Sequence, residues 1–142
     1  MSAKEILQRA YVLHYEIMVK REQISILQSS VTNMTVSFDH ECISKSPDYT
    51  AMQSAIIRLL ELKDEVNADV SRLTSIAQES IHLINQVDNV KVRAVLSKHY
   101  LGYKTWQDIA DEMNISVKWA LHLHSKGLHQ LDQILASGTV LG

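Results

Sequence analysis

Apolar residues recur at alternating steps of four and three along the first half of the chain, over residues 6–31 and again over 52–87. This spacing gathers apolar side chains on one face of a helix, and over several heptads it is typical of a coiled-coil seam. Lys20 interrupts the first series, and Lys63 and Ser80 interrupt the second. The pattern predicts two long helices joined by a loop in the polar stretch 29–46.

The second long helix has a wider apolar stripe than a two-stranded seam needs. Its predicted start is Ser46, as the cap, with Pro47 at the first helical position. The residues that widen its stripe are Leu60, Leu62, Ile76, Ile81 and Leu83. The two helices can form an antiparallel hairpin within one chain or pair between chains as a dimeric bundle. We favour the dimer, because a lone hairpin leaves the wide stripe exposed. In the dimer Lys20 and Lys63 would help to fix the register, and the alternative is that both side chains extend to water.

Residues 100–131 have the spacing of a helix-turn-helix. Thr105 is placed to cap a short helix, Asn114 suits the left-handed conformation that ends it, and Ser116 is placed to cap the next helix. The inward residues of the two helices are expected to be Trp106, Ile109, Ala110, Met113, Ala120, Leu123, Leu128 and Leu131. A plain helical hairpin is the alternative at this point.

The region from Val90 to Leu131 resembles the C-terminal promoter-reading domain of bacterial sigma factors. The residues that carry the resemblance are Arg93, Tyr100, Thr105, Asp108, Ile109, Ile115, Ser116, Leu128 and Leu131. It implies an all-α, sigma-like regulator of the kind encoded by phages of Gram-positive bacteria, with promoter DNA and RNA polymerase as partners. Gly127 stands where that family has alanine, which indicates a close contact or a weak point in the helix.

The resemblance implies a set of DNA-binding residues on the two helices of the motif. Thr105 and Gln107 would hold phosphate at the first helix's N-terminus. The second helix would face the major groove. Its candidate residues are Ser116, Val117, Lys118, Leu121, His122, Ser125 and Lys126. Val117 and Leu121 are aliphatic where the family turns polar side chains to the DNA, so they suit either thymine methyl groups or a protein partner.

Charge suggests that one copy binds DNA weakly. Residues 88–142 carry six Lys and Arg against five Asp and Glu, and affinity for DNA grows with the number of phosphates neutralised. Two linked copies would bind far better. We therefore expect a homodimer, with 1–87 as the coiled-coil dimerisation region and 88–142 as the helix-turn-helix domain.

The composition narrows the class of protein. Four glycines and one proline in 142 residues favour an all-α fold over a strand-and-turn architecture. A single cysteine, Cys42, excludes an internal disulfide and suits a reducing cytoplasm. No apolar run approaches the ~20 residues of a membrane span, and the N-terminus has no signal-peptide core. We expect a cytoplasmic protein that does not associate with membranes.

Neither a catalytic nor a metal site is expected. His122 and His124 are two residues apart on a helix and diverge, so they cannot share one ion. His40 and Cys42 form at best a weak thiol–imidazole pair in a loop with no group to orient it. No glycine-rich phosphate loop is present. A DNA-binding regulator without a cofactor is the favoured hypothesis, and a protein-interaction module with little DNA affinity is the alternative.

Overall fold

The computed structural model describes residues 1–40 and 49–138, with the side chains of 35–40 excepted. These residues form α-helices and no strand, which confirms the all-α prediction. The five helices are α1 (Ala3–His40), α2 (Tyr49–Ile84), α3 (Val90–Tyr100), α4 (Trp106–Met113) and α5 (Val117–Ser137).

Helix α1 is longer than the sequence analysis predicted. The predicted loop at 29–46 is wrong over residues 29–40, because α1 continues to His40. The stretch contains no glycine or proline to stop a helix, and half-buried Val31 and Met34 extend the apolar spacing of α1. The predicted start of the second long helix at Ser46 and Pro47 lies outside the described residues.

The chain divides into two compact units by its internal contacts. Unit 1 comprises residues 1–14 and 73–142, and unit 2 comprises residues 15–72. Helices α1 and α2 each contribute to both units. The boundary expected between residues 87 and 88 stays a prediction.

Unit 1 has a continuous hydrophobic core. Its buried members are Ala3, Leu7, Leu83, Ile84, Val87, Val92, Val95, Leu96, Tyr100, Ile109, Ala120, Leu123 and Leu131. The start of α1 is tied to this core, since the backbone N–H of Ala3 donates to Oδ1 of Asp132 over 2.7 Å. Arg9 on α1 also forms an ion pair with Glu79 on α2, at 2.8 Å. The three C-terminal helices therefore share one core with the first turns of α1 and the end of α2.

Unit 2 consists of parts of α1 and α2 with a small buried interior. Its fully buried apolar residues among those described are Ile17, Leu62 and Val66. Lys20 Nζ donates to Oδ2 of the buried Asp69 over 2.7 Å. This hydrogen bond raises the pKa of Lys20 and so favours the charged ammonium.

The predicted seam position of Lys63 was wrong, because its side chain is exposed and Leu62 is buried instead. The apolar stripe of α2 is wide enough to hold two overlapping heptad tracks. The track that is buried passes through Leu62, Val66 and Asp69. The buried track places the Asp69 carboxylate within hydrogen-bonding distance of Lys20. The neighbouring track has Val70 next to Asp69, and a valine cannot accept this hydrogen bond.

Candidate nucleic-acid interface

The connection between α4 and α5 forms from local capping residues. Oγ1 of Thr105 accepts a hydrogen bond from the Asp108 N–H at 3.1 Å. Asn114 ends α4 in the left-handed conformation, with φ 56° and ψ 46°. Oγ of Ser116 accepts from the Trp119 N–H at 3.0 Å and so caps α5. The three predicted capping and turn residues are confirmed, and each occupies backbone that its side chain favours.

Helix α5 packs very closely against α3 at Gly127. A Cβ atom added to this glycine would lie 2.7 Å from Cγ1 of Val92 and 2.9 Å from Cδ1 of Leu96. Both neighbours are fully buried, so they have little room to move. The close contact expected from the sequence at Gly127 is thus confirmed, and it holds one face of α5 against the core.

The opposite face of α5 is exposed. The buried residues of this helix are Ala120, Leu123, Gly127 and Leu131. The predicted DNA-binding residues that are exposed on α5 are Lys118, Leu121, His122, Ser125 and Lys126. Val117 is half-buried, and Ser116 is an exposed cap. Spacings of three and four place the exposed set on one side of the helix.

Two aromatic rings add to this exposed side of α5. The Trp119 side chain is 48% exposed, and its ring stacks on that of His122 with centroids 4.9 Å apart. The Trp119 indole and the Leu121 side chain, which is 41% exposed, add apolar surface at separate positions of this face, because residues two apart on a helix diverge.

The N-terminus of α4 carries the remaining predicted contacts, Thr105 and Gln107, and both residues are exposed. The Thr105 hydroxyl accepts a hydrogen bond within the helix and keeps its own hydrogen as a donor. Nε2 of Gln107 donates to Oδ1 of Asp111 over 2.9 Å, which leaves a second amide hydrogen. A helix N-terminus with such donors is suited to an anion.

Two of the six lysines of unit 1 are in ion pairs within the described residues, and the other four are Lys4, Lys91, Lys118 and Lys126. Lys98 and Lys104 both contact Glu112, with N–O distances of 2.8 Å and 2.6 Å. The hydrogen bonds from Lys104 and Lys98 lower the pKa of this carboxyl. Lys118 and Lys126 have no ion pair within the described parts of the chain. Uncompensated positive charge is therefore available on the exposed face of α5.

A cluster of aromatic and histidine rings lies between α3, α4 and α5. The Tyr100 hydroxyl and Nε2 of His124 are hydrogen-bonded at 2.7 Å. The ring of His99 stacks on Trp106 with centroids 4.3 Å apart and contacts Tyr11 of α1 at 5.2 Å. The sequence analysis did not identify this cluster, because its members are far apart in the chain and follow no motif.

Burial keeps the ring cluster uncharged near neutral pH. Desolvation, with a smaller effect of His99, lowers the pKa of His124 to about 4. Desolvation also lowers the pKa of His99 and raises that of Tyr100 to about 12. Neither histidine therefore adds positive charge to the candidate interface at pH 7.

Among the described residues, no group of histidine, cysteine, aspartate and glutamate is arranged to hold a metal ion. The weak pair of His40 and Cys42 lies outside the side chains that the structure describes. No described helix is both long enough and apolar enough to cross a membrane.

A family model described as a protein of unknown function, DUF1492, matches residues 40–132, more than half of the chain. The chain belongs to the DUF1492 family. The match begins at the last residue of α1 and includes α2, α3, α4 and most of α5. All nine predicted DNA-binding residues lie inside it. No curated protein and no solved structure matches the chain.

Proposed function

We propose that this DUF1492 protein is a DNA-binding transcriptional regulator, encoded by a phage or prophage, that binds a promoter as a dimer. The observation that carries the proposal is the exposed face of α5, opposite the face buried against the core. It has two lysines without an ion pair in the described chain, Lys118 and Lys126, among polar side chains. A capped helix of this kind, supported by a second helix, is the element that enters a major groove in helix-turn-helix proteins.

The candidate DNA-binding side chains of α5 each have a chemical role in this proposal. Lys118 and Lys126 neutralise phosphates, which supplies most of the affinity. His122 and Ser125 have hydrogen-bonding groups for base edges, and Leu121 with Val117 contacts thymine methyl groups.

In this proposal helix α4 positions the protein on the sugar-phosphate backbone of the DNA. The Thr105 hydroxyl and the Gln107 amide donate to one phosphate, together with the free backbone N–H groups of the first turn of α4. The helix dipole favours negative charge at this end. These contacts set the angle at which α5 enters the groove and carry no sequence preference of their own.

Dimerisation and RNA polymerase belong to the same proposal. A single unit 1 has few uncompensated cations, so its affinity is low and a second copy on the same DNA raises it. Recruitment of RNA polymerase is what the resemblance to sigma factors implies for the step after promoter binding.

A second candidate function is a protein-interaction module. The exposed Trp119 and Leu121 favour it, because exposed aromatic and aliphatic side chains are common anchors of protein interfaces. In this case Leu121→Glu would abolish partner binding, whereas substitution of Lys118 and Lys126 would have little effect.

Fluorescence anisotropy with labelled duplexes tests the proposal. The full chain is titrated against random-sequence DNA and fragments of its own genomic neighbourhood across a salt series. We expect Lys118→Gln with Lys126→Gln to weaken binding, and the salt slope to fall by about 0.9 for each lost phosphate contact. The matched control is Lys4→Gln with Lys91→Gln, which removes two exposed lysines that belong to other helices, α1 and α3. Absence of binding at ~50 mM salt, where phosphate contacts are strong, would reject the proposal and favour the interaction module.

A further inference from the structure

The first two turns of α5 carry a stacked pair of rings on the exposed side of the helix. The rings of Trp119 and His122 lie with centroids 4.9 Å apart and planes inclined by 25°. The two residues are three positions apart, so their side chains are neighbours on the helix surface. The indole is 48% exposed, and His122 is exposed as well. An exposed imidazole without such a contact would change rotamer freely.

The local structure holds the indole in place. The backbone N–H of Trp119 donates to Oγ of Ser116 over 3.0 Å, which fixes this residue in the capped first turn of α5. The next residue, Ala120, is fully buried in the core of unit 1. Stacking of two rings favours one arrangement over the unstacked ones by about threefold to tenfold. Trp119 therefore restricts the orientation of the His122 imidazole.

The His122 ring keeps its hydrogen-bonding groups. Neither of its nitrogens has a hydrogen-bond partner within the described residues. An imidazole N–H can donate to N7, an acceptor that guanine and adenine both have in the major groove. In helix-turn-helix proteins the N-terminal residues of the recognition helix reach the base edges. His122 is the sixth residue of α5 and so lies in that part of the helix.

Trp119 shares its side of α5 with a lysine and not with the exposed leucine. His122 and Lys126 follow Trp119 by three and seven positions, the spacing of one side of a helix. Lys126 has no ion pair within the described parts of the chain. Leu121 is two residues from Trp119, so the two side chains diverge and do not form one apolar patch. The indole therefore belongs to the cationic, hydrogen-bonding side of α5.

We propose that Trp119 is a positioning residue for DNA recognition, whose indole holds the His122 imidazole in the orientation that donates to a purine N7 in the major groove. The inference rests on the proposed function, because it takes the exposed face of α5 to be the DNA-binding surface. It adds to that function a residue outside the nine predicted contacts. The ring pair supplies preference for sequence, whereas Lys118 and Lys126 supply affinity for any duplex.

Nuclear magnetic resonance of the full chain without DNA tests the ring pair by itself. Trp119→Leu removes the ring current of the indole, so we expect the carbon-bound ring protons of His122 to move downfield. Trp119→Phe keeps a ring at this position and should shift them less. Leu121→Ala is the control and should leave them nearly unchanged. Signals of His122 that do not respond to Trp119→Leu would overturn the inference, whatever the protein binds.

Fluorescence anisotropy tests the role in recognition. A duplex that the unchanged protein enriches from a randomised pool is compared with a random-sequence duplex. We expect Trp119→Leu and His122→Ala each to lower the ratio of the two affinities about threefold to tenfold. The two substitutions together should lower it no further than one alone, because Trp119 acts through His122. Trp119→Phe should retain most of the preference.

Leu121→Ala is the matched control for this double-variant cycle, since Leu121 is 41% exposed and diverges from Trp119. Its effect should add to that of His122→Ala. Additive losses for Trp119→Leu and His122→Ala would overturn the inference, and so would a preference that Trp119→Leu leaves unchanged. Either result would leave DNA binding itself intact. Absence of binding to every duplex would instead reject the proposed function and the inference with it.

Discussion

The two units of the chain differ in how fully they bury their apolar residues. Among the described residues, sixteen buried apolar side chains belong to unit 1 and three to unit 2, whereas the large exposed ones number six and nine. Unit 1 has a core to which five helices contribute, and unit 2 has two helices with an ion pair at their contact. Unit 1 therefore has a continuous apolar core, whereas unit 2 leaves most of its large apolar side chains exposed.

This difference suits the proposed division of roles. A DNA-reading helix must be held in a fixed orientation, and the close contact of Gly127 with α3 anchors α5 to a rigid core. A dimerisation element instead needs apolar surface left for another chain.

The largest effect is expected for Leu7→Ala. Leu7 is fully buried in the core of unit 1, so the substitution should lower the free energy of unfolding by about 2–5 kcal/mol. Urea unfolding followed by tryptophan fluorescence measures this loss, because both tryptophans are in unit 1. Leu60→Ala, at an exposed position of unit 2, should cost about 0.5 kcal/mol or less in dilute solution. Equal losses at the two positions would remove the distinction between the units.

A smaller loss is expected for Gly127→Ala. The added methyl group must displace Val92 or Leu96, which costs about 1–3 kcal/mol. Alanine also favours the helix by up to about 1 kcal/mol, so a net destabilisation of about 1 kcal/mol is expected from the same urea titration. Ser125→Ala on the exposed face is the control and should leave stability nearly unchanged. A more stable Gly127→Ala protein would show that α3 and α5 are not tightly packed.

Acid is expected to destabilise unit 1 through its ring cluster. Burial lowers the pKa of His99, and it lowers that of His124 from 6.5 to about 4. Between about pH 6.5 and pH 4 the unfolded chain therefore binds more protons than the folded one, and stability falls as the pH falls through this window. The urea midpoint should drop between pH 7.5 and pH 4.5, and it should drop less in His124→Gln. Identical drops in the two proteins would contradict a role for His124.

The smallest effect is expected for Glu112→Gln. The substitution releases Lys98 and Lys104 from a shared carboxylate, so DNA binding should strengthen by several-fold. The salt slope should steepen by about 0.9 for each phosphate that a freed lysine contacts. Glu61→Gln, which removes one of the two carboxylates that pair with Arg58 in unit 2, is the matched control. Unchanged binding would place these lysines away from the DNA.

Local features of the fold could be predicted from the sequence. The caps at Thr105 and Ser116 and the turn at Asn114 depend on residues within a few positions of each other, and all three predictions are confirmed. The buried track of α1 through Leu13 and Ile17 also followed from its spacing. Such features are encoded where they occur, so periodicity and capping preferences are sufficient to find them.

Long-range features could not be predicted in the same way. Nothing local indicates that Ala3 contacts Asp132 or that His99 meets His124. The apolar stripe of α2 was too wide to show which of its tracks faces α1, so Lys63 was misplaced. The net charge of residues 88–142 could not show that Lys98 and Lys104 pair with Glu112, because a sum of charges does not depend on which groups are in contact.

The candidate interface could be predicted only in part. Eight of the nine proposed contact residues are exposed, and Val117 is half-buried. Their chemistry suits phosphates and base edges, but the same exposure suits a protein partner through Trp119 and Leu121. The role in DNA binding stays a prediction until binding is measured.

Native mass spectrometry of the full chain with a duplex from its own genomic neighbourhood would test the central claim most directly, namely that the exposed face of α5 binds DNA and that two copies occupy one duplex. The account predicts a complex of two chains on one duplex, which Lys118→Gln with Lys126→Gln weakens. No complex at low ionic strength, or a complex that is indifferent to the two substitutions, would contradict it.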